Sequence, residues 1–260
     1  MTKLFKSAEL KRILWTGLLL VLFLVVAAIS QFVYNSLDNG ASRFKSKFAC
    51  ENDKLVKSRG YVYIHGLGDD GPGPINSIIN LTRGDTKVAG FLDFDYNEKL
   101  ALNEIGADFV SKFNTFATRG FDEIVVFGIS AGGIVASYSA HQLISDGIIE
   151  IHTTAAPLNG YKLGIFSQRV AKDFKGLIRD IGLGLEPYLM PRNNVRIYHH
   201  KTVEDEFLRF WCGSYAIFCN PRAIQDNNVP GSKEFYYPED SHRSIVATVA
   251  KKIIACRDEI

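Results

Sequence analysis

The chain has 260 residues, of which 47% are hydrophobic and 22% charged, and its formal net charge is +2. This length and apolar content suit one α/β domain with a large core. The near-neutral balance, without a basic stripe, argues against a nucleic-acid partner.

The longest uncharged apolar run lies near the N-terminus, at residues 13–29 (ILWTGLLLVLFLVVAAI), and basic residues precede it. By the positive-inside rule, residues 1–12 are expected to stay cytoplasmic and everything after residue 30 to be exported. Residues 13–30 are predicted to be an uncleaved membrane anchor, with a cleaved signal peptide as the alternative. The polar, lysine-rich residues 31–59 then form a stalk, and residues 60–260 form the catalytic domain.

From residue 60 onward, short β-branched or aromatic runs alternate with helical patterns. The predicted strands are 61–65, 87–94, 124–127, 148–155, 195–199 and 234–237, and helices are predicted over 100–116, after residue 132 and over 244–254. This alternation predicts an α/β fold with a mostly parallel sheet covered by helices on both faces. Ligands of such sheets bind outside the carboxyl ends of the strands.

The stretch Gly128-Ile129-Ser130-Ala131-Gly132 follows a predicted buried strand and opens a helical pattern. G-x-S-x-G between a strand and a helix is the pattern of a nucleophile elbow, which exposes a serine hydroxyl on a sharp turn. The glycines on either side of Ser130 lack a Cβ, so strand and helix can approach closely. Ser130 is therefore the candidate nucleophile.

The sequence resembles the α/β-hydrolase family, and within it the lipase and esterase branch, over about residues 61–256. Three matches carry the resemblance: His65-Gly66-Leu67-Gly68 after a strand, the elbow around Ser130, and the late histidine His242. The family's chain order is nucleophile, acid and then histidine. The resemblance implies an α/β-hydrolase fold and a serine hydrolase that needs no metal or other cofactor.

The resemblance implies that His242 is the base, since it follows the last strand and precedes a helix. His199 and His200 end a strand at the same edge of the sheet and are the second choice. The remaining histidines, His65, His141 and His152, are expected to be structural.

The acid is expected just past the strand that ends at His200, where Glu204, Asp205 and Glu206 follow one another. Asp205 matches the family's pattern best and Glu204 is the alternative acid. A solvated acidic loop with no catalytic role is the other interpretation of these three carboxylates.

The oxyanion formed by attack on a carbonyl needs two aimed backbone N–H groups. The resemblance implies that Ala131, directly after the nucleophile, supplies one of them and Leu67 the other. Gly66 and Gly68 keep the backbone around Leu67 free of side chains.

An insertion at residues 161–191 precedes the strand that begins at Val195. Apolar residues recur at helical spacing within it, at Phe166, Val170, Phe174, Leu177, Ile178 and Ile181. The stretch predicts either a lid over the pocket, with Phe174 and Ile178 on one face, or a helix that covers the sheet.

The four cysteines all follow the apolar N-terminal run, on the side predicted to be exported, where disulfides persist. Cys212 and Cys219 are expected to close one loop, which leaves Cys50 and Cys256 to tie the two ends of the domain together. Four free buried thiols are the alternative, and no Cys or His spacing indicates a metal site.

The sequence thus predicts a serine hydrolase, membrane-anchored through residues 13–30 or secreted after their removal, that acts on acyl or lipid esters through an acyl-Ser130 intermediate. Thioester hydrolysis and acyl transfer use the same residues, so water as the acceptor is an assumption. An inactive hydrolase fold that serves as a binding module at the membrane surface is the alternative from another class. A peptidase is a further hypothesis, which nothing in the sequence favours.

Overall fold

The computed structural model describes residues 56–68, 73–82, 85–160, 176–183, 187–205, 208, 225 and 229–258. All of them belong to one unit, Ser46–Ile260. The strands are β1 (Arg59–Ile64), β2 (Val88–Phe94), β3 (Glu123–Ile129), β4 (Ile148–Thr154), β5 (Val195–Glu204) and β6 (Lys233–Ser241). The helices are α1 (Gly73–Thr82), α2 (Leu102–Ala117), α3 (Ala131–Ser139), α4 (Gly176–Leu183) and α5 (Ser244–Asp258), and a short 3-10 turn (Ala140–Gln142) follows α3.

The strands form one sheet in the order β2-β1-β3-β4-β5-β6, and every neighbouring pair among the described strands is parallel. The chain enters at β1, moves outward to β2, and then crosses β1 to reach β3. From β3 it continues outward in the opposite direction. The strand order therefore reverses between β1 and β3, and ligands of such sheets bind at the carboxyl ends of the strands beside such a reversal.

Helices cover both faces of the sheet, as the alternating pattern predicts. Residues of α2, α3 and α4 pack with Val62, Ile64 and Ile151 on one face, while α1 and α5 pack with Tyr61 and Val125 on the other. Successive residues of β1 and β3 point to opposite faces, and both faces are buried. A strand buried on both faces needs a continuous apolar run, which is what β1 and β3 show in the sequence.

The folded domain begins before residue 60, because residues 56–59 are held to it by burial, hydrogen bonds and ion pairs. Val56 is buried. The N–H groups of Lys57 and Ser58 donate to Asp122 Oδ2 at 2.8 and 2.9 Å, and these bonds lower the pKa of Asp122. Arg59 opens β1 and forms buried ion pairs with Asp85 and Glu123. The end of the predicted stalk is therefore part of the folded domain.

The last two strands are longer than predicted. β5 continues past His200 to Glu204 because β6 runs beside it, with Thr202 opposite Tyr237 and Glu204 opposite Ser241. In sequence, Pro238 favours a strand end at Tyr237. β6 passes through Pro238 because it is the last strand in the described sheet, and an edge strand tolerates a missing N–H.

One helix, α1, has no counterpart among the predicted elements. Its second residue is Pro74, which follows a glycine-rich and proline-rich loop. Proline is tolerated in the first turn of a helix, where the backbone N–H has no intrahelical partner. Because the preceding loop is rich in glycine and proline, the sequence does not predict a helix start at this position.

Helix α4 shows how part of the predicted insertion 161–191 is arranged. Leu177 and Ile181 are fully buried in the core of the α2 face, whereas Ile178 is partly exposed. This helix packs as a covering element through a different pair from the predicted Phe174 and Ile178. Phe174 and residues 161–173 lie outside the described residues, and a lid formed by them stays a prediction.

The predicted N-terminal segments 1–12 and 13–30 also lie outside the described residues. In the part of the chain that the structure describes, no helix has both the length and the apolar character of a membrane span. Cys50, Cys212 and Cys219 lie outside that part too, so both predicted disulfide pairings stay predictions. Cys256, near the end of α5, is not a free thiol.

Candidate active site

Ser130 lies on a strained turn at the end of β3. Its backbone has φ of 50° and ψ of −119°, a region that residues with a side chain rarely adopt. The turn is held on both sides, since the Ser130 N–H donates to Thr154 O at 2.9 Å and the Ser130 carbonyl accepts from the Gly133 N–H at 3.0 Å. The predicted strand, sharp turn and helix around Ser130 are present in the structure.

The glycines that flank Ser130 allow a very close packing of backbone segments. A Cβ on Gly132 would lie 2.3 Å from Ile64 O and 2.4 Å from His65 O. One on Gly128 would lie 2.8 Å from the backbone of Gly132 and Gly133. The expectation that both positions must lack a side chain is confirmed. Helix α3 is pressed against the carboxyl end of β1 as a result.

The loop after β1 lies directly beside the candidate nucleophile. A Cβ on Gly66 would be 3.1 Å from Ser130 Cβ. The next residue, Leu67, packs its side chain against the core, and its N–H has no hydrogen-bond partner within the described part of the chain. Ala131 is the first residue of α3, so its N–H has no intrahelical partner. The two predicted oxyanion donors thus belong to segments that meet at Ser130.

His65 shapes this loop from within. Its ring stacks on Tyr96 with centroids 4.2 Å apart, and the Tyr96 hydroxyl donates to His65 O at 2.9 Å. Three polar groups surround the ring. Nδ1 lies 2.7 Å from Gly66 O, and Nε2 lies 3.4 Å from Tyr96 N and 3.3 Å from Asp95 Oδ1. These contacts agree with the structural role that the sequence predicts for His65.

Asp205 and His242 form a buried pair at the carboxyl ends of the last two strands. Asp205 follows the final residue of β5 and is fully buried, and His242 follows the final residue of β6. Asp205 Oδ2 lies 2.8 Å from His242 Nδ1, and Asp205 Oδ1 accepts the Leu208 N–H at 2.8 Å. With the proton on Nδ1, the neutral ring keeps the lone pair of Nε2 for accepting a proton.

Gln225 supports the strand that carries Asp205. Its side-chain amide accepts the Thr202 N–H at 3.2 Å and donates to the Thr202 carbonyl at 3.0 Å. Strand β4 ends opposite His200, so Thr202 has no partner strand on that side. The Gln225 amide completes the backbone hydrogen bonds there and fixes β5 up to Asp205.

The start of α5 is also fixed by side chains next to His242. Asp240 Oδ1 accepts hydrogen bonds from the hydroxyls of Ser244 and Thr248, both at 2.8 Å. The Ser241 hydroxyl accepts the Ser244 N–H at 3.1 Å. His242 therefore sits in a short turn whose two ends are tied together.

Glu204, the alternative acid, is the last residue of β5, and its side chain lies outside the described residues, as does Glu206. Among the described residues, Asp205 is the carboxylate that contacts His242.

The second-choice bases, His199 and His200, are both fully buried. His199 lies 2.6 Å from the Thr153 hydroxyl and 2.7 Å from Gln225 O, and burial lowers its pKa to about 3. His200 lies 3.1 Å from both His152 Nδ1 and the Tyr237 hydroxyl, and burial also lowers its pKa. These rings are partners in the core. At the strand ends, His242 pairs with the buried Asp205, whereas His65 lies 3.3 Å from the exposed Asp95.

Two residues that position the site were missed in the sequence, Gln225 and Glu98, which accepts the Gly68 N–H. Both side chains form hydrogen bonds with backbone groups more than 20 residues away in sequence. No local sequence pattern predicts such contacts. Among the described residues no group of three His, Cys, Asp or Glu side chains is arranged to hold a metal ion.

No family model matches the chain, and no curated protein matches its sequence. Solved structures do match. An esterase from Exiguobacterium antarcticum shares 10% identity, with 77% of this chain and 92% of that chain covered and a TM-score of 0.51. The α/β hydrolase domain-containing protein 10 from mouse shares 13% identity, with 77% and 90% covered and a TM-score of 0.52. At such identities the likeness concerns the fold alone.

Proposed function

We propose that this chain, which has the α/β-hydrolase fold, is a serine hydrolase that cleaves carboxylic esters through an acyl-Ser130 intermediate. One observation carries the proposal: Asp205 and His242 form a buried hydrogen-bonded pair at the edge of the sheet where the elbow holds Ser130. A serine hydroxyl needs a base, and the base needs a third group that orients it.

In the proposed reaction, the Ser130 hydroxyl oxygen attacks the ester carbonyl carbon while His242 Nε2 takes the hydroxyl proton. The Asp205 carboxylate accepts the Nδ1–H and stabilises the imidazolium that forms. It also holds the ring in the tautomer whose Nε2 can accept a proton.

The carbonyl oxygen becomes an oxyanion, which the N–H groups of Ala131 and Leu67 stabilise. Support comes from their placement, since Ala131 follows Ser130 directly and the loop that carries Leu67 touches Ser130 through Gly66. Aimed backbone donors need no reorganisation when charge develops, and one such donor is worth about a hundredfold to a thousandfold in kcat.

Collapse of this intermediate breaks the bond to the alkoxy group, which leaves with the proton from His242. Water then attacks the acyl carbon and gives a proton to His242. Collapse breaks the bond between the acyl carbon and Ser130 Oγ, Ser130 Oγ regains the proton from His242, and the acid is released. An alcohol or thiol that takes the place of water would make the same site an acyltransferase.

The ester class is supported by the fold likeness to a protein named an esterase. Three further proposals come from the sequence. They are a lipid or acyl substrate, a membrane anchor at residues 13–30, and an extracytoplasmic location for the domain. Cleavage of the anchor would make the protein secreted. A missing acid would favour the inactive binding module, and the hydrogen bond between Asp205 and His242 weighs against it.

Turnover of nitrophenyl esters of two to twelve acyl carbons tests the proposal. We expect wild type to hydrolyse some of them and Ser130→Ala to lose at least about a thousandfold in kcat. Ser137→Ala is the matched control, because the Ser137 hydroxyl in α3 is buried and has no partner among the described residues. Folded wild-type protein that turns over no ester, with or without an added alcohol acceptor, would leave the binding module as the better account.

A further inference from the structure

Glu98 makes a hydrogen bond that bears directly on the loop after β1. Its carboxylate accepts the N–H of Gly68, 30 residues before it. This bond fixes the peptide plane between Leu67 and Gly68. The neighbouring peptide plane, between Gly66 and Leu67, carries the N–H that the proposed mechanism uses, and the two planes share the Leu67 Cα. Fixing one plane therefore restricts the direction of the Leu67 N–H.

The backbone of Glu98 is itself held in place. Asn97 closes the turn around it, as its carbonyl accepts the Leu100 N–H at 3.0 Å and its side chain accepts the Lys99 N–H at 3.0 Å. The start of α4 lies on the same turn, and the Leu177 N–H donates to Glu98 O at 3.2 Å.

The contact between α4 and this turn is unusually close. A Cβ on Gly176, where φ is 66°, would lie 2.4 to 2.5 Å from backbone atoms of Glu98 and Lys99. At the other end of the contact, Asp180 of α4 accepts the Leu102 N–H at the start of α2 at 2.8 Å. Helix α4 thus packs directly against the turn that carries Glu98.

We propose that Glu98 is a positioning residue that transmits the packing of α4 to the oxyanion loop and aims the Leu67 N–H at the reacting carbonyl. The inference rests on the proposed function and assigns a task that the elbow, the acid and the base do not perform. Glu98 acts through Gly68 and does not touch the substrate.

The carboxylate contributes as an acceptor, and its charge opposes the reaction. A negative charge beside a developing oxyanion is unfavourable, whereas a hydrogen-bond acceptor on Gly68 is needed to hold the loop. Glutamine keeps an acceptor oxygen at the same reach and removes the charge. Glu98→Gln and Glu98→Ala therefore separate the two effects.

The test measures kcat and KM for a short nitrophenyl ester, together with the melting temperature. We expect Glu98→Ala to lose about tenfold to a hundredfold in kcat with KM within about twofold, because a misaimed donor weakens only the transition state. We expect Glu98→Gln to stay within about threefold of wild type. Glu104→Ala is the matched control, since the Glu104 carboxylate also accepts a backbone N–H, that of Ala101, at 2.9 Å.

A second measurement addresses the part played by α4. Gly176→Ala should displace the Glu98 turn and lower kcat, and it should add little to the loss already caused by Glu98→Ala. Full additivity of the two changes would contradict transmission through Glu98.

The outcomes for the inference and for the proposed function are distinguishable. An active wild type with Glu98→Ala within twofold in kcat, or with Glu98→Gln as damaged as Glu98→Ala, overturns the inference and leaves the proposed function standing. Folded wild-type protein without any ester turnover removes both.

Discussion

Asp205 Oδ2 and His242 Nδ1 lie 2.8 Å apart although 37 residues separate them in the chain. The contact exists because β5 and β6 run parallel as neighbours and end at the same edge of the sheet. Each strand delivers one polar residue directly after its last paired position. Two backbone hydrogen bonds at the same edge of the sheet continue this row toward the elbow. The Ala155 N–H donates to His200 O, and the Ser130 N–H donates to Thr154 O.

The choice of acid follows from this contact. Asp205→Asn should lower kcat by about a thousandfold or more, since an amide no longer stabilises the imidazolium and favours the wrong tautomer. Glu204→Gln, its neighbour in sequence, should stay within about threefold of wild type. The comparison uses ester turnover at saturating substrate. A larger loss in Glu204→Gln than in Asp205→Asn would show that the acid lies one residue earlier.

Much of this site follows from sequence, because its key residues occupy ends of periodic segments. Ser130 is bracketed by a buried strand and a helix, and His242 lies between a strand and a helix. The exact end of β5 does not follow, since it depends on pairing with β6 and on the amide of Gln225, neither of which is local. The same holds for Glu98, whose carboxylate reaches a backbone N–H in another loop.

Acid should destabilise the fold through its buried histidines. Burial lowers the pKa of His199 to about 3 and also lowers that of His200, with Lys201 acting on His199 and with His152 and Lys252 acting on His200 in the same direction. Between about pH 3 and 6.5 the unfolded chain binds a proton at His199 and the folded chain does not, so stability rises with pH in this window, and the lowered pKa of His200 acts in the same direction.

We therefore expect the free energy of unfolding to fall as the pH drops from 7 to 4, by up to about 1.4 kcal/mol per pH unit for each histidine. Urea unfolding at each pH measures it. His199→Gln should flatten the dependence. A free energy of unfolding that stays constant between pH 7 and 4 would contradict the assignment of neutral, buried rings.

The close packing at the elbow predicts a strong effect of one methyl group. Gly132→Ala places a Cβ within 2.4 Å of two carbonyl oxygens at the end of β1, and we expect it to cost about 3 kcal/mol or more. Gly120→Ala is the control, because Gly120 has φ of 77° and open space around it, so backbone strain of about 1 to 2 kcal/mol is its main cost. Equal melting temperatures for the two variants would contradict the packing described here.

Helix α4 offers a test of which part of the insertion belongs to the core. Leu177→Ser removes a fully buried side chain and should cost about 3 kcal/mol or more. Ile178→Ser, on the partly exposed side, should cost about 1 kcal/mol or less. Thermal melting is measured beside turnover of short and long acyl esters. If Ile178→Ser changes chain-length preference while sparing the melting temperature, this side of α4 faces the substrate. An equal fall in the melting temperature of both variants would place Ile178 in the core.

The most direct test of the central claim is to identify the residue that a fluorophosphonate modifies. Such probes form a covalent bond with an activated serine, and peptide mapping by mass spectrometry locates the adduct. We expect stoichiometric modification of Ser130, with labelling slowed about a hundredfold or more in His242→Gln. Modification of a different residue, or none in folded wild-type protein, would contradict the claim that Ser130 is an activated nucleophile.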